Sequence, residues 1–352
     1  MISLEEIFLV NILYRPASEI LNDVDIKSIN FEKLITLTSG HLMLPALFFN
    51  IQKKKASYLF PKDFIDYIKN IFAINKTRNE ILLAEAKQLS QLLVENNINH
   101  IFLKGTALLL SNVFEDIGER MIGDIDFIIQ HKDEGKIKEV LEYNNSCKTK
   151  KLSLWRLFKP THLSRKVRKN KTIAIETHLE LLEPEQRCIF NSKKLQNDFK
   201  KGVKTYKTPS TFFLFEHCIY GIQLRDKGFF TSYHSHRAIY DIYKLDCKNS
   251  LTINNIKKNI FKKHFFLTIE KFNIFDLQIP SSTVSLYYDK CLRVLILLYF
   301  KLFVTIQKYI GKILVLIQLP CNKNLRKHAL NKITYHYANK TLLNYIYRWL
   351  KE

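Results

Sequence analysis

Glycine and proline are scarce, at 9 and 8 of 352 residues, which excludes a collagen-like chain and a linker-rich one. The 6 cysteines, Cys147, Cys188, Cys218, Cys247, Cys291 and Cys321, stand singly with no Cys-x-x-Cys pair. They are too sparse for a disulfide scaffold and lack zinc-finger spacing, so reduced, mostly buried thiols are expected. No uncharged run reaches the roughly 18 residues of a membrane span. The N-terminus places Glu5 and Glu6 where a secretory signal needs cations. A cytoplasmic location is expected. Apolar residues, by contrast, make up 47% of the chain, enough to bury a core and to exclude intrinsic disorder. The length suits roughly two domains or one elaborated domain.

Acidic residues are also short, with 33 Asp and Glu against 55 Lys and Arg, a formal charge of +22. The excess is regional. Residues 148–171 carry ten cations and no acid, and residues 248–352 carry eighteen cations and four acids, which leaves the remainder at −2. Part of this fits an Ile/Lys/Asn-rich codon bias, and part fits attraction to a polyanion.

The first ~95 residues read as helical, with apolar residues at three- and four-residue spacing in 7–21 and 64–93. Three short strand candidates follow, at 98–103, 124–130 and 172–179. A helical run, 106–113, separates the first two. From Thr208 onward the pattern is helical again, through 212–223, with Pro209 in the first turn, and 237–245. A small strand-rich centre is therefore expected between helical flanks.

Three features could carry chemistry. In Gly123-Asp124-Ile125-Asp126 a strand would project Asp124 and Asp126 to one side, about 6–7 Å apart, a pair that repels unless something positive lies between. A hard divalent cation such as Mg²⁺ suits such oxygens. Leu103-Lys104-Gly105-Thr106 reads as a strand end entering a helix, where Gly allows close approach of a ligand and free N–H groups face phosphate. In Ile175-Glu176-Thr177-His178 the same alternation gives Glu176 and His178 a common face, with Glu176 a third carboxylate for a metal or a proton. Taken singly, each also fits a strand edge, a common turn or a solvated face.

Their order resembles the uncharacterised nucleotidyltransferases of the polymerase-β-like superfamily. The resemblance rests on Phe102-Leu103-Lys104-Gly105, Arg120, Gly123-Asp124-Ile125-Asp126 and Glu176-Thr177-His178, with the lead-in from His41 to Leu47 and the Arg237–Ile242 helix. It covers roughly residues 30–250. It implies an α+β fold, a small mixed β-sheet core with helical N-terminal and C-terminal regions. The expected divisions are a helical region 1–96, the core 97–182, a helical region 183–285 packing on it, and a basic amphipathic region 286–352. It further implies that Asp124, Asp126 and Glu176 are the catalytic and metal-binding carboxylates for Mg²⁺, with Mn²⁺ as an alternative. Lys104, Gly105, Thr106, Arg120 and His178 would then serve nucleotide binding. The family often has Gly-Ser or Gly-Gly at the turn where this chain has Gly105-Thr106; Thr keeps the hydroxyl. The implied reaction moves a nucleoside monophosphate from a nucleoside triphosphate, ATP being expected, to a hydroxyl on RNA, protein or a small compound. Two other readings stay open: a toxin or phage-defence nucleotidyltransferase acting on tRNA or protein, and a non-catalytic nucleotide- or RNA-binding protein on the same fold.

Other features stand outside this set. Tyr233-His234-Ser235-His236 has no third histidine at ligand spacing and reads as a polar turn at a helix start, and the resemblance implies that Asp241 is a polar helix residue near the site. The basic segment 148–171 interleaves cations with Trp155 and Phe158, which suits either a solvated loop or a nucleic-acid contact. Residues 290–320 read as a basic amphipathic helix. It is expected to pack its apolar face on the rest of the protein, with peripheral contact to an anionic membrane as the alternative.

Overall fold

A computed structural model describes residues 2–22, 24–141, 161–167, 171–245, 256, 259–275 and 283–318. The chain divides into two compact units, Met1–Lys148 with Thr161–Arg293, and Thr149–Pro160 with Val294–Glu352.

The first unit opens on helices. α1 (Leu4–Tyr14) starts where the Ser3 hydroxyl accepts a hydrogen bond from Glu6 N at 3.1 Å, and stops before Pro16, which disfavours helical geometry in the residue ahead of it. α2 (Phe31–Gly40) is capped by Asn30, and α3 (Leu44–Lys53) carries Pro45 in its first turn. α4 (Lys62–Glu95) is a 34-residue helix that ends at Asn96, with Asn97 in the left-handed region at φ 51°. Phe8, Leu9, Leu47, Ile68 and Leu89 join these helices in one apolar core.

The sheet follows: β1 (His100–Phe102), β2 (Asp124–Ile129), β3 (Lys166–Val167) and β4 (Ala174–His178), in the order β1-β2-β4-β3. β2 runs antiparallel to β1 and parallel to β4, and β3 closes the edge antiparallel to β4, so the sheet is small and mixed as expected. Between the strands lie α5 (Lys104–Leu110) and α6 (Glu134–Val140). Further helices enclose the sheet: α7 (Gln196–Lys200), α8 (Thr211–Tyr220) running into a π-turn at Gly221–Arg225, α9 (Gly228–Thr231), α10 (His236–Lys244) and α11 (Ile260–Ile269). Pro209 does not open α8; Ser210 caps it, accepting from Phe213 N at 3.3 Å.

The loop before β2 is fixed by polar side chains of α4. Asn75 Nδ2 donates to the carbonyls of Gly118 (2.7 Å) and Arg120 (3.2 Å), Asn79 Nδ2 to those of Ile117 (2.6 Å) and Arg120 (2.7 Å), and Arg78 to those of Ile122 (2.6 Å) and Gly123 (3.0 Å). Buried carbonyls that would otherwise lose their partners thus find them in one helix face. A second buried network joins α3 to α10: Asn50 Nδ2 donates to the Tyr240 hydroxyl (2.9 Å), which donates to Glu119 (2.6 Å).

α12 (Thr283–Gln318) runs from the first unit into the second. Leu295, Leu298, Leu302, Ile306 and Tyr309 recur at helical spacing and stay 48–61% exposed. Among the described residues no single helix is long and apolar enough to cross a membrane. The cysteine expectation is also corrected: of the three described, Cys188 and Cys291 are exposed and Cys218 is partly buried, because Cys188 lies beside a short surface turn and Cys291 on an outward face of α12. Cys147, Cys247 and Cys321, residues 148–160 of the basic segment, and residues 319–352 lie outside the described residues.

Candidate active site

The parallel register of β2 and β4 sets Asp126 beside Glu176 and Ile128 beside His178. Side chains of paired residues share a face, so two carboxylates meet at the centre of the sheet. They are held there by two bridging groups. Lys104 Nζ lies 2.8 Å from Asp126 Oδ1 and 2.9 Å from Glu176 Oε2; His178 Nε2 lies 2.9 Å from the same Asp126 oxygen and 3.0 Å from the same Glu176 oxygen. Asp124, two residues earlier on β2, faces Arg165, whose Nε stands 2.9 Å from its Oδ2, and His162 Nδ1 is 3.4 Å from Glu176 Oε1.

Local backbone geometry puts Lys104 in place. It begins α5 with φ at 50°, the left-handed region that a residue with a side chain adopts at a cost of about 1–2 kcal/mol. Neighbouring hydrogen bonds hold the turn: Leu103 N donates to the Asp126 carbonyl at 2.9 Å and Phe102 N to that of Lys207 at 2.8 Å. Gly105 has a packing reason beyond ligand approach, since a Cβ there would stand 2.9 Å from Ile122 Cγ1. Thr106, expected to meet phosphate, instead turns inward. It is fully buried, its hydroxyl donates to the Asp124 carbonyl (3.2 Å), and it accepts from Asp126 N (3.2 Å). Its work is to clamp the strand that carries both aspartates.

These residues open on a cleft of about 340 Å³ lined by Lys104, Gly105, Arg120, Asp124, Asp126, Glu176 and His178, joined by His162, Arg225 and Arg237. Arg120 is held by Asp241 of α10 through a bidentate pair, Nε to Oδ1 at 2.6 Å and Nη2 to Oδ2 at 2.8 Å, and donates through Nη1 to the Met121 carbonyl. Asp241 is thus the polar helix residue near the site that the family resemblance suggested. Arg237, one helix turn before it, engages no acidic side chain among the described residues.

The electrostatics follow from this crowding. The hydrogen bond from His178 and the charge of Lys104 hold the Glu176 carboxyl well below the usual carboxylate range. Burial and the neighbouring Asp126 charge push Asp124 up. Asp126, Glu176 and His178 also present donor atoms within 4.8 Å of one another, a spacing that suits a metal ion. The convergent donors therefore include His178 in place of Asp124, which lies on the same face but toward Arg165.

Of the residues singled out by sequence, Lys104, Asp126, Glu176 and His178 form one contact set, Asp124, Gly105 and Arg120 line the same cleft, and Thr106 stands behind it. His162, Arg165 and Arg225 were missed. Arg237 carried a signal, its place in the helix that bears Asp241; Arg165 and His162 lay within a run of cations that offered no spacing to single them out.

The uncharacterised nucleotidyltransferase family matches residues 27–250, which include every residue of the cleft. The chain belongs to that family. Nucleotidyltransferase membership places it among transferases at a coarse level. No curated protein and no solved structure gives a significant match.

Proposed function

We propose that this nucleotidyltransferase moves a nucleoside monophosphate, AMP in the expected case, from a nucleoside triphosphate to a hydroxyl acceptor in the β2–β4 cleft. One observation carries the reading: Asp126 and Glu176 converge across paired strands around the Lys104 ammonium, on a cleft with further arginines, in a chain of this family. The donor chemistry fits a divalent cation. The acids already draw the Lys104 ammonium between them. Asp124, Asp126 and Glu176 would hold Mg²⁺, and Mn²⁺ accommodates a nitrogen from His178 more readily. When bound, the ion neutralises the developing charge on the attacking and leaving oxygens.

The chain's own groups position the reactants. Lys104 and Arg237 neutralise the triphosphate, and Arg120, braced by Asp241, forms the adjoining wall. The acceptor oxygen forms a bond to the α-phosphorus, the bond from that phosphorus to the bridging oxygen breaks, and pyrophosphate leaves. The hydroxyl proton passes to a carboxylate of the cluster. Such transfer needs little covalent help from protein, so positioning and charge carry most of the catalysis. Incubating the protein with α-labelled ATP, Mg²⁺ and total cell extract tests this. Label in RNA, protein or small molecules identifies the acceptor class, and Asp124→Ala with Asp126→Ala abolishes labelling. Retained Mg²⁺-dependent transfer in that double variant overturns the assignment.

A further inference from the structure

The turn Tyr233–His236, which the cleft does not use, gains partners from two distant parts of the chain. Ser235 is extended, at φ −116° and ψ 114°, so His234 and His236 fall on one side of it. Their Nε2 atoms lie 2.8 Å and 3.0 Å from the same oxygen, Oε1 of Glu6 on α1. The three ligand atoms stand within 4.8 Å of one another. His41, at the end of α2, brings a third imidazole: its ring lies edge-on to His236 at 4.9 Å between centroids and stacks with His234 at 6.5 Å. His41 Nδ1 is buried with no hydrogen-bond partner, whereas buried nitrogens ordinarily have one. Phe272 walls the cluster, 5.2 Å from His234 and 5.4 Å from His236.

We propose that Glu6, His234 and His236 bind a divalent transition-metal ion, Zn²⁺ by preference, with His41 as the fourth donor. Two or three imidazoles and one carboxylate are the ligand types zinc takes in tetrahedral sites, and they are too rich in nitrogen for Mg²⁺ or Ca²⁺. Coordination through Nε2 leaves each neutral imidazole with its N–H on Nδ1, and the ion takes the place of the Nε2 protons now shared with Glu6. His236 is fully buried and Phe272 lies across one side, while the His234 and Glu6 side chains stay 19% and 14% exposed, so the donor set suits a structural site that an ion can still enter. It ties α1 to α10. α10 carries Arg237, which lines the cleft, and Asp241, which holds Arg120, so the ion would brace the cleft wall from behind.

The test uses the full chain, stripped with EDTA, incubated with ZnCl₂, desalted and counted by mass spectrometry. Because Asp126, Glu176 and His178 could also take zinc, the count is made in Asp126→Asn/Glu176→Gln protein, with and without His234→Gln. One zinc per chain is expected, falling to none with His234→Gln, and zinc is expected to raise Tm only where the site is intact. Glu6→Gln, which keeps an acceptor for both histidines, serves as the second variant if circular dichroism shows that His234→Gln does not fold. Zinc content unchanged by the variant that folds, or no zinc retained by wild type, overturns the proposal.

Discussion

Asp241→Asn removes one charge and little else, and the structure sets what that costs. Arg120 and Asp241 meet in a two-point contact of 2.6 and 2.8 Å, with side chains only 10% and 5% exposed. Breaking a buried pair by neutralising one partner leaves an uncompensated buried charge, a loss of about 3–5 kcal/mol. Here the penalty is sharpened by Arg237, whose guanidinium is already burdened by burial and by the Arg120 charge, and which Asp241 relieves more than Asp226 does. For a unit of this size the unfolding entropy is roughly 0.6 kcal/mol per degree, so Tm should fall by about 5–8 °C. Circular dichroism melts and urea titrations read the change. Arg120→Met with Asp241→Leu removes both charges and should recover at least half of the loss, giving a coupling energy of about 2 kcal/mol. If Asp241→Asn melts within 2 °C of wild type, or the double variant is as unstable as the sum of the singles, the pair does not hold α10 to the cleft.

Asn79→Ala strips the partly buried Ile117 carbonyl of its partner and leaves the Arg120 carbonyl with Asn75 alone, so a loss of about 1–2 kcal/mol is expected in urea denaturation; a loss under 0.5 kcal/mol would show that water replaces the amide. His100 gives a pH signature. Burial lowers its pKa to about 4, against about 6.5 unfolded, so between these values the unfolded chain binds a proton that the folded chain refuses. Stability therefore falls as pH drops from 6.5 to 4, by on the order of 3 kcal/mol from this group. His100→Leu should lose that much less over the window, and parallel stability curves would remove the argument.

Short-range order was legible in the sequence, and long-range pairing was not. The alternation of Asp124–Ile129 and Ala174–His178 gave two strands within a residue or two, and the apolar spacing of 64–93 gave most of α4. Lys104, Asp126, Glu176 and His178, each at the end or on one face of a short element, were joined into one expected site by the order of their motifs, which resembles the family. What failed depends on partners far away in the chain. β3 has only 2 residues, too few to show a period, and exists because β4 offers an open edge. Thr106 was read as a ligand contact because a hydroxyl after Gly suits phosphate, yet the backbone of β2 claimed it. The histidines of 234–236 lacked a third donor only along the sequence; Glu6 is 228 residues from His234. Asn75, Arg78 and Asn79 read as ordinary polar helix residues, and nothing in their spacing reveals that a loop 38–45 residues later needs its carbonyls paired.

The basic segment also takes on a different meaning. By sequence, its charge lies apart from the acids and could only attract a partner; in the fold, β3 lays its end along β4, with Lys166 opposite Ile175, and Arg165 reaches Asp124 while His162 approaches Glu176. Arg165 therefore competes with any cation for Asp124, the acid of the β2–β4 cluster whose pKa is pushed up. The Arg165 side chain is 54% exposed, and exposed ion pairs contribute about 0–1 kcal/mol, so the competition is weak by construction. A rim arginine of this kind can leave when a cation enters and return when it departs. Arg165→Ala should lower the Mg²⁺ concentration for half-maximal transfer by up to about fivefold, the equivalent of about 1 kcal/mol, with little change in the maximal rate at saturating Mg²⁺. Lys104→Ala, which removes the bridge between Asp126 and Glu176, should instead reduce the maximal rate. If Arg165→Ala raised the Mg²⁺ requirement, Arg165 would be acting with the cation on the triphosphate, and Asp124 would be its anchor and not its rival's ligand.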